Sequence, residues 1–288
     1  MVEPPELRGP SREQVYRRRV VGLILLLAVL GAVVWGGWAA LKDHRASAPP
    51  ATTVAPPKIL KVLFPEGFTR AQMAETADAI SPAITAAGYL QATASSPVPG
   101  QFAGDGKLRN LEGFLFPATY DIYETDTADT LVKKQTKAFT FTWGKVKLGY
   151  ARSKNLTAFD VLIIASMIEK EVIVPRERPL VAAVVYNRLH GQIPLGIDAT
   201  LRYGLGIPPT QAITKQDLAS DSPYNTRKLR GLPPTPIANP GLPSMQAAAH
   251  PAKVDYLYFV RKPDCRSHFF TASIEAFDAY TRKGLSNC

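Results

Sequence analysis

The sequence contains little cysteine and little histidine. Among 288 residues there are two cysteines and four histidines. Cys265 and Cys288 have neither the spacing of zinc ligands nor a catalytic pattern, so no metal site and no cysteine nucleophile is predicted. If this part of the chain lies in an oxidising compartment, a disulfide between them is allowed. Two unpaired thiols are the alternative.

Nucleotide-binding and nucleic-acid-binding motifs are also missing. The sequence has no Walker loop, no GxGxxG turn and no RNA-binding signature. Its formal net charge of +10 suits an anionic environment such as nucleic acid, a lipid surface or a cell-wall polymer. Because no nucleic-acid signature accompanies this charge, we predict no nucleic-acid partner, and we predict no cofactor.

The sequence has one long apolar run and no second one. Val20–Leu41 comprises 22 residues without a formal charge, and a helix rising about 1.5 Å per residue needs about 20 residues to cross a bilayer. Residues 1–19 contain five Lys or Arg and residues 42–57 contain two. This difference predicts a single-pass membrane protein with a cytoplasmic N-terminus. A cleaved signal peptide ending at Ala46-Ser47-Ala48 is the alternative, but its apolar core would be longer than usual.

Composition divides the chain into segments. The expected order is a cytoplasmic tail at 1–19, a transmembrane helix at 20–41, a Pro-rich spacer at 42–58, a small β-turn-α module at 59–91, a connector at 92–107 and a main domain at 108–288. Strands and packed helices are mixed without regular βαβ alternation, so we predict an α+β fold.

Local signals predict the main elements. They are a strand at Ile59–Phe64, a helix from its cap Thr69 to Ile80, helices at Leu131–Trp143 and Arg178–His190, rigid Pro- and Gly-rich loops over Ile193–Pro243, a short helix from Ser244, and a strand at Asp255–Val260 paired with His268–Phe270.

Two glutamates interrupt the apolar run Val161–Val174, which predicts a buried helix. Thr157 and Asp160 form a capping-box pattern at its start. Positions two apart on a helix point about 200° away from each other, so Glu169 and Glu171 are not expected to form a facing carboxylate pair.

Glu171 is the better candidate for a general acid. Its helix face carries Ile164, Met167 and Ile168, and desolvation by such neighbours raises the pKa of a carboxyl group. The helix dipole in the last turn also disfavours its negative charge. Glu169 is expected to support the structure or to pair with an arginine. A buried salt bridge or an exposed turn at a helix end is the alternative interpretation of this segment.

Several separated motifs give the chain a family resemblance. They are Leu111–Tyr120, Ala165–Glu171, Tyr186–Leu189, Pro194-Leu195 with Asp198, Ser222–Thr226, Gly231–Pro234, Asn239–Gly241, Ala248–Pro251 and Tyr256–Val260 followed by His268. In this order they resemble the endolytic murein transglycosylases, the MltG or YceG-like proteins of the bacterial inner membrane. The likeness covers about residues 108–280, and residues 59–91 resemble the family's LysM-like module less specifically.

The resemblance implies a substrate and a reaction. The substrate would be the glycan strand of peptidoglycan, cleaved after N-acetylmuramic acid without water and with formation of a 1,6-anhydro end. One carboxyl group would protonate the glycosidic oxygen and then remove the proton from the sugar's own 6-hydroxyl. By the resemblance this acid is Glu171, which the helix-face argument also selects.

Other motif residues are candidates for contact with the substrate. Asp198, Tyr224, Asn225 and Thr226 offer groups that can bind sugar hydroxyls and acetamides. Glu112 is expected to orient the substrate or the acid. His268 is a candidate for the cleft wall, with a structural histidine as the equal alternative.

The chain departs from the family pattern at a few positions. Gly196 stands where a Gln is usual, Ala199 where a Pro is usual, and Phe277 near the place of a C-terminal histidine. The loss of a polar group at Gly196 puts affinity and subsite preference in question.

The prediction is therefore a lytic transglycosylase anchored in the inner membrane with its catalytic domain on the outer face. It would cut nascent strands and so terminate their elongation, with peptidoglycan synthases or divisome proteins as possible partners. A muramidase that uses water is one alternative. A non-catalytic peptidoglycan-binding or divisome scaffold protein is the other.

Overall fold

The computed structural model describes residues 12–46, 57–102 and 110–284, in two units, Met1–Pro56 and Pro57–Cys288. The elements in chain order are α1 (Arg12–Ala46), β1 (Ile59–Leu63), α2 (Arg70–Ile80), α3 (Ala86–Ser95), β2 (Thr119–Tyr123), α4 (Ala128–Trp143), α5 (Gly149–Ser153), α6 (Ala158–Glu171), α7 (Arg178–His190), α8 (Asp198–Leu205), α9 (Lys215–Ala219), α10 (Leu242–Ala249), β3 (Tyr258–Arg261), β4 (His268–Thr271) and α11 (Ile274–Thr281). The predicted α+β class is confirmed.

Helix α1 makes up the described part of the first unit. Its segment Val15–Lys42 is long and apolar enough to cross a membrane. The predicted apolar helix is therefore confirmed, while residues 1–11 of the predicted tail and residues 47–56 of the predicted spacer lie outside the described residues.

Helix α6 lies at the centre of the core of the second unit. Every residue from Val161 to Ile168 is buried, and the helix packs chiefly against α10 and α7. The predicted capping box is present, because the Thr157 hydroxyl accepts from the Asp160 N–H while the Asp160 carboxylate accepts from the Thr157 N–H. The helix ends at Glu171, four residues before Pro175; Val172 has an extended backbone, and a 3₁₀ turn follows at Pro175–Glu177.

The two sheets of the described residues are both antiparallel pairs. Strand β1 pairs with β2, with Ile59 opposite Tyr123. Residues on either side of the predicted connector therefore share one sheet and one core. Strand β3 pairs with β4, as predicted, with Arg261 opposite His268.

Three expectations about the elements need correction. Helix α3 runs to Ser95, so the first residues of the predicted connector at 92–107 are helical; Thr85 caps it and its sequence is rich in alanine. The predicted loop Ile193–Pro243 contains α8 and α9, and Thr214 caps the latter. The strand predicted at Asp255–Val260 begins at Tyr258.

Candidate active site

Glu169 and Glu171, in the last turn of α6, have different surroundings, as the helix geometry predicts. The Glu169 Oε2 accepts a hydrogen bond of 2.9 Å from the Gly241 N–H, and its Oε1 lies 3.7 Å from the Arg178 guanidinium. The side chain of Glu169 is 6% exposed. The prediction that Glu169 pairs with an arginine is confirmed.

The turn of the first β-turn-α segment packs behind this end of α6. The Lys170 ammonium donates to the Gly67 carbonyl over 3.2 Å. The Glu66 carboxylate lies over Gly241, where it would be 1.9 Å from a Cβ, so a larger residue at position 241 would displace the Glu66 side chain. Burial, followed by the negative charge of Glu169, raises the pKa of Glu66. The turn therefore helps to hold the helix end that carries Glu171.

Glu171 is partly buried at the C-terminus of α6. Desolvation raises the pKa of its carboxyl group, which is the direction predicted from the helix face. Arg261 and Arg227 lower this pKa, and so does the N–H of Ala199, whereas the negative charge of Asp198 raises it. Glu171 therefore holds its proton more strongly than an ordinary glutamate, among groups that can also stabilise its anion.

The N-terminus of α8 supplies two of these neighbours. Asp198 is the first residue of the helix, and the Ala199 N–H belongs to its first turn, where backbone N–H groups lack partners within the helix. Arg227 donates to the Asp198 carboxylate, and both side chains are nearly half exposed. The structure therefore brings Asp198 close to Glu171, so the two predicted site residues are neighbours.

Thr226 and Asn225 lie inside the protein and support this arrangement. The Thr226 hydroxyl accepts from the Ile197 N–H over 3.1 Å and bonds the Thr200 hydroxyl over 2.9 Å. The Asn225 amide donates to the carbonyls of Leu218 and Ser220. Their exposed fractions of 2% and 0% leave no surface for a sugar. The geometry gives both residues the role of fixing the loops that carry Asp198 and Arg227.

Tyr224 and Glu112 belong to a second polar group, connected through Tyr203. The Tyr203 and Tyr224 rings are 5.2 Å apart, and the Tyr203 hydroxyl donates to Glu112 over 3.1 Å. Glu112 also accepts from the Arg70 N–H and the Asn239 amide. Burial raises the pKa of Glu112 to about 7 despite these donors. Because Tyr203 lies on α8, Glu112 holds the helix whose start faces Glu171.

His268 is placed as a structural histidine. The His268 Nδ1 lies 2.7 Å from the Glu177 Oε2, and the backbone N–H of His268 donates to the Glu177 Oε1. Both side chains are almost fully buried. This pair connects strand β4 to the turn that follows α6. His268 therefore fits the alternative of a structural histidine better than a place in the cleft wall.

Sequence reasoning missed Arg227, Arg261 and the Ala199 N–H. Each immediately follows a residue or motif that the sequence did single out: Asp198, Ser222–Thr226 and Tyr256–Val260. The position of a basic residue directly after a motif is the signal that could have identified the two arginines.

The two family departures next to Asp198, Gly196 before α8 and Ala199 in its first turn, have structural consequences. Gly196 has a φ of +66°, a left-handed conformation that glycine adopts most easily. Ala199 provides an N–H to Glu171, which a proline at this position would lack.

A cavity in the described part of the chain lies away from Glu171. Its volume is about 740 Å³, and its walls include Tyr150, Phe159, Ile163 and Tyr186 but not Glu171. Ile163 precedes Glu171 by eight residues, or about 12 Å along the helix. The charges and hydrogen bonds around Glu171, not cavity size, therefore select the candidate site. Among the described residues, no three His, Cys, Asp or Glu side chains converge as metal ligands.

Cys265 is disulfide-bonded. Cys288 lies outside the described residues.

Comparisons with known proteins show the family of the chain. The model of the YceG-like family matches residues 39–283. An endolytic murein transglycosylase of Bacillus subtilis is 42% identical over 181 residues, covering 62% of this chain and 49% of the relative. One from Streptococcus pneumoniae is 34% identical over 227 residues, covering 71% of this chain and 41% of the relative. The chain thus spans less than half the length of these relatives.

A solved structure shows a similar fold. The crystal structure of a YceG-like protein from Listeria monocytogenes superposes with a TM-score of 0.67 at 32% sequence identity, covering 79% of this chain and 77% of that chain.

Proposed function

The chain belongs to the YceG-like family, and from this premise we propose that it is an endolytic murein transglycosylase. The proposal is supported by relatives that bear this name. It is carried by one observation on the chain itself, the partly buried Glu171 with its raised pKa at the end of α6. A carboxyl group that keeps its proton towards neutral pH can act as a general acid.

The proposed reaction uses this carboxyl group twice. Glu171 donates its proton to the glycosidic oxygen that follows N-acetylmuramic acid, and the bond from that oxygen to C1 breaks. The resulting carboxylate accepts the proton of the sugar's 6-hydroxyl. As this proton leaves, the 6-hydroxyl oxygen bonds to C1 and closes the 1,6-anhydro ring. No water is consumed, and the nucleophile is already attached to the sugar, which gives it a high effective concentration.

The neighbours of Glu171 suit the intermediate stage of this cycle. Between the two proton transfers Glu171 is an anion, and Arg261, Arg227 and the Ala199 N–H stabilise that form. Desolvation and Asp198 favour the neutral form at the beginning and end. We propose that Asp198 and Tyr224 contact the substrate, whereas Glu112, Asn225, Thr226 and His268 are positioning residues.

The membrane arrangement forms part of the same proposal. Helix α1 would cross the inner membrane once, with the arginines of residues 1–19 on the cytoplasmic side and the catalytic domain on the outer face. The Pro-rich spacer and a LysM-like module at residues 59–91 would then hold the site near newly made strands, where synthases or divisome proteins could be partners. The segments that connect α8 and α9 to their neighbours would shape the cleft.

One observation favours a second candidate, the muramidase that uses water. Asp198 places a second carboxylate near Glu171, and ordinary glycoside hydrolysis employs two carboxylates. Asp198 is, however, ion-paired with Arg227, which makes it a poor general base.

Digestion of purified glycan strands in heavy-oxygen water tests the choice. The transglycosylase should release 1,6-anhydro ends without label, and the Glu171→Gln variant should release none. Labelled reducing ends would identify the muramidase. Binding without any cleavage by the unaltered protein would identify the non-catalytic alternative.

A further inference from the structure

Arg261 differs from the other partly buried arginines of the described chain. Arg70, Arg178, Arg188 and Arg202 all donate from their guanidinium groups to carbonyl or hydroxyl oxygens. The Arg261 guanidinium makes no hydrogen bond or ion pair with any residue that the structure describes. Withdrawing such a strongly donating group from water is costly unless a partner compensates for it.

The strand register determines where Arg261 points. Arg261 lies opposite His268, and Phe259 lies opposite Phe270. Alternate residues of a strand share a face, so these four side chains project from the same side of the β3–β4 hairpin. Phe259 and Phe270 pack against the core, and the other face of the hairpin contacts α11 through Tyr258 and Phe269. Arg261 therefore faces the body of the domain.

The same hairpin is fixed next to the end of α6. His268 is held by Glu177, six residues beyond Glu171. Consistent with this connection, Arg261 is the charged group with the largest influence on the pKa of Glu171.

The charges around Glu171 do not balance. Asp198 and Arg227 neutralise each other in their ion pair, and desolvation makes Glu171 ionise less readily than an ordinary glutamate. The Arg261 guanidinium has no ion pair with any residue that the structure describes. An anionic group of a ligand that enters next to Glu171 would supply one.

We propose that Arg261 forms a carboxylate subsite beside Glu171 and selects substrates that carry a carboxylate near the cleaved bond. The inference rests on the proposed function, because that function places muramic acid next to Glu171. A guanidinium binds a carboxylate through two parallel hydrogen bonds, which gives both affinity and orientation. The carboxylate can come from the lactyl group of muramic acid on a peptide-free strand, or from the stem peptide attached to that group.

Four substrates separate these sources. Peptide-free strands are used with their lactyl carboxylates free or converted to amides, and peptide-bearing strands are used with their peptide carboxylates free or converted to amides. Cleavage is measured as kcat/KM with the full-length protein in detergent. For the wild-type protein, kcat/KM should fall about tenfold or more when the strand type that supplies the carboxylate is amidated. This is the loss expected for one charge-assisted hydrogen-bonded contact.

The arginine variants provide the decisive comparison. Arg261→Gln should lose about tenfold more on the carboxylate substrate than on its amide, where the remaining loss measures only the effect of Arg261 on Glu171, and Arg261→Lys should recover part of the difference. Arg266→Gln removes the same charge from an exposed position of the same hairpin and should change nothing. An equal loss by Arg261→Gln on free and amidated substrates would overturn the subsite, since Arg261 would then act only through Glu171. No loss on any substrate would also overturn it.

A binding measurement keeps this inference separate from the proposed function. For Glu171→Gln, the Kd should rise about tenfold when the strand that supplies the carboxylate is amidated. For the double variant Glu171→Gln with Arg261→Gln, the Kd should not depend on the carboxylate. If wild type released no anhydro ends but this dependence appeared, the reaction would be wrong and the subsite correct. If anhydro ends formed but Kd did not depend on the carboxylate, the reaction would be correct and the subsite wrong.

Discussion

The carboxylate of Glu169 lies 3.7 Å from the guanidinium of Arg178, and both side chains are largely buried. The same carboxylate accepts the Gly241 N–H. These contacts fasten the last turn of α6 to the following helix and to the loop before α10. Glu171, two residues later, is thereby held in place by a neighbour that takes no part in the proposed chemistry.

Replacement of Glu169 should therefore reduce stability. Glu169→Ala leaves Arg178 buried without its counter-charge, and we expect the free energy of unfolding to fall by about 3 kcal/mol. Urea unfolding followed by circular dichroism measures this. Glu75→Ala, at an exposed position of α2, is the control and should change stability by less than about 0.5 kcal/mol. Equal effects of the two replacements would contradict the supporting role of Glu169.

Replacement of Glu171 should abolish cleavage and leave the fold intact. Glu171→Gln cannot donate or accept the proton, so we expect kcat to fall by about 10²- to 10⁴-fold. Release of glycan ends, followed by mass spectrometry, measures the rate, and an unchanged circular dichroism spectrum excludes unfolding. Glu75→Gln is the matched control. Activity within twofold of wild type in Glu171→Gln would remove Glu171 from the mechanism.

The N–H of Ala199 should set part of the pH dependence. It lowers the pKa of Glu171, so Ala199→Pro, which deletes this donor in the first helical turn where proline is tolerated, should raise that pKa. The reaction needs the neutral acid first, so activity falls as pH rises through the pKa of Glu171. We therefore expect the basic limb of the kcat/KM profile to move to higher pH in Ala199→Pro. Ala199→Ser keeps the N–H and should leave the limb in place; a shift in both variants would contradict the assignment.

Glu112 should make the protein less stable as pH rises. Its pKa is about 7 in the folded protein against an ordinary value of 4.5. Between these values an unfolded chain releases the proton while the folded one retains it, so stability decreases with rising pH. The difference corresponds to about 3 kcal/mol over this window.

The test is urea unfolding from pH 4.5 to 8. Glu112→Gln cannot titrate, and its free energy of unfolding should vary about 3 kcal/mol less than that of wild type across this range. Glu75→Gln should retain the dependence of wild type. If Glu112→Gln kept the full dependence, other buried carboxyl groups would have to be responsible for it.

Much of the fold could be predicted because its signals are local. The capping residues Thr69 and Thr157 and the apolar period of α6 specify helices within a few residues of themselves. Helix α8 was missed because it is short and its N-cap, Ile197, makes no side-chain cap hydrogen bond. The burial of Asn225 and Thr226 does not follow from the sequence, because polar side chains in a loop can face either solvent or the backbone, and only packing decides which.

The sequence by itself determined that Glu169 and Glu171 point in different directions, because helix geometry depends only on their spacing. It also determined that Glu171 has an apolar face and a raised pKa. Only the tertiary structure decided which charges surround Glu171, because Asp198, Arg227 and Arg261 come from three separate segments of the chain. Their approach depends on buried contacts such as those of Thr226 and Glu177, which no local pattern specifies.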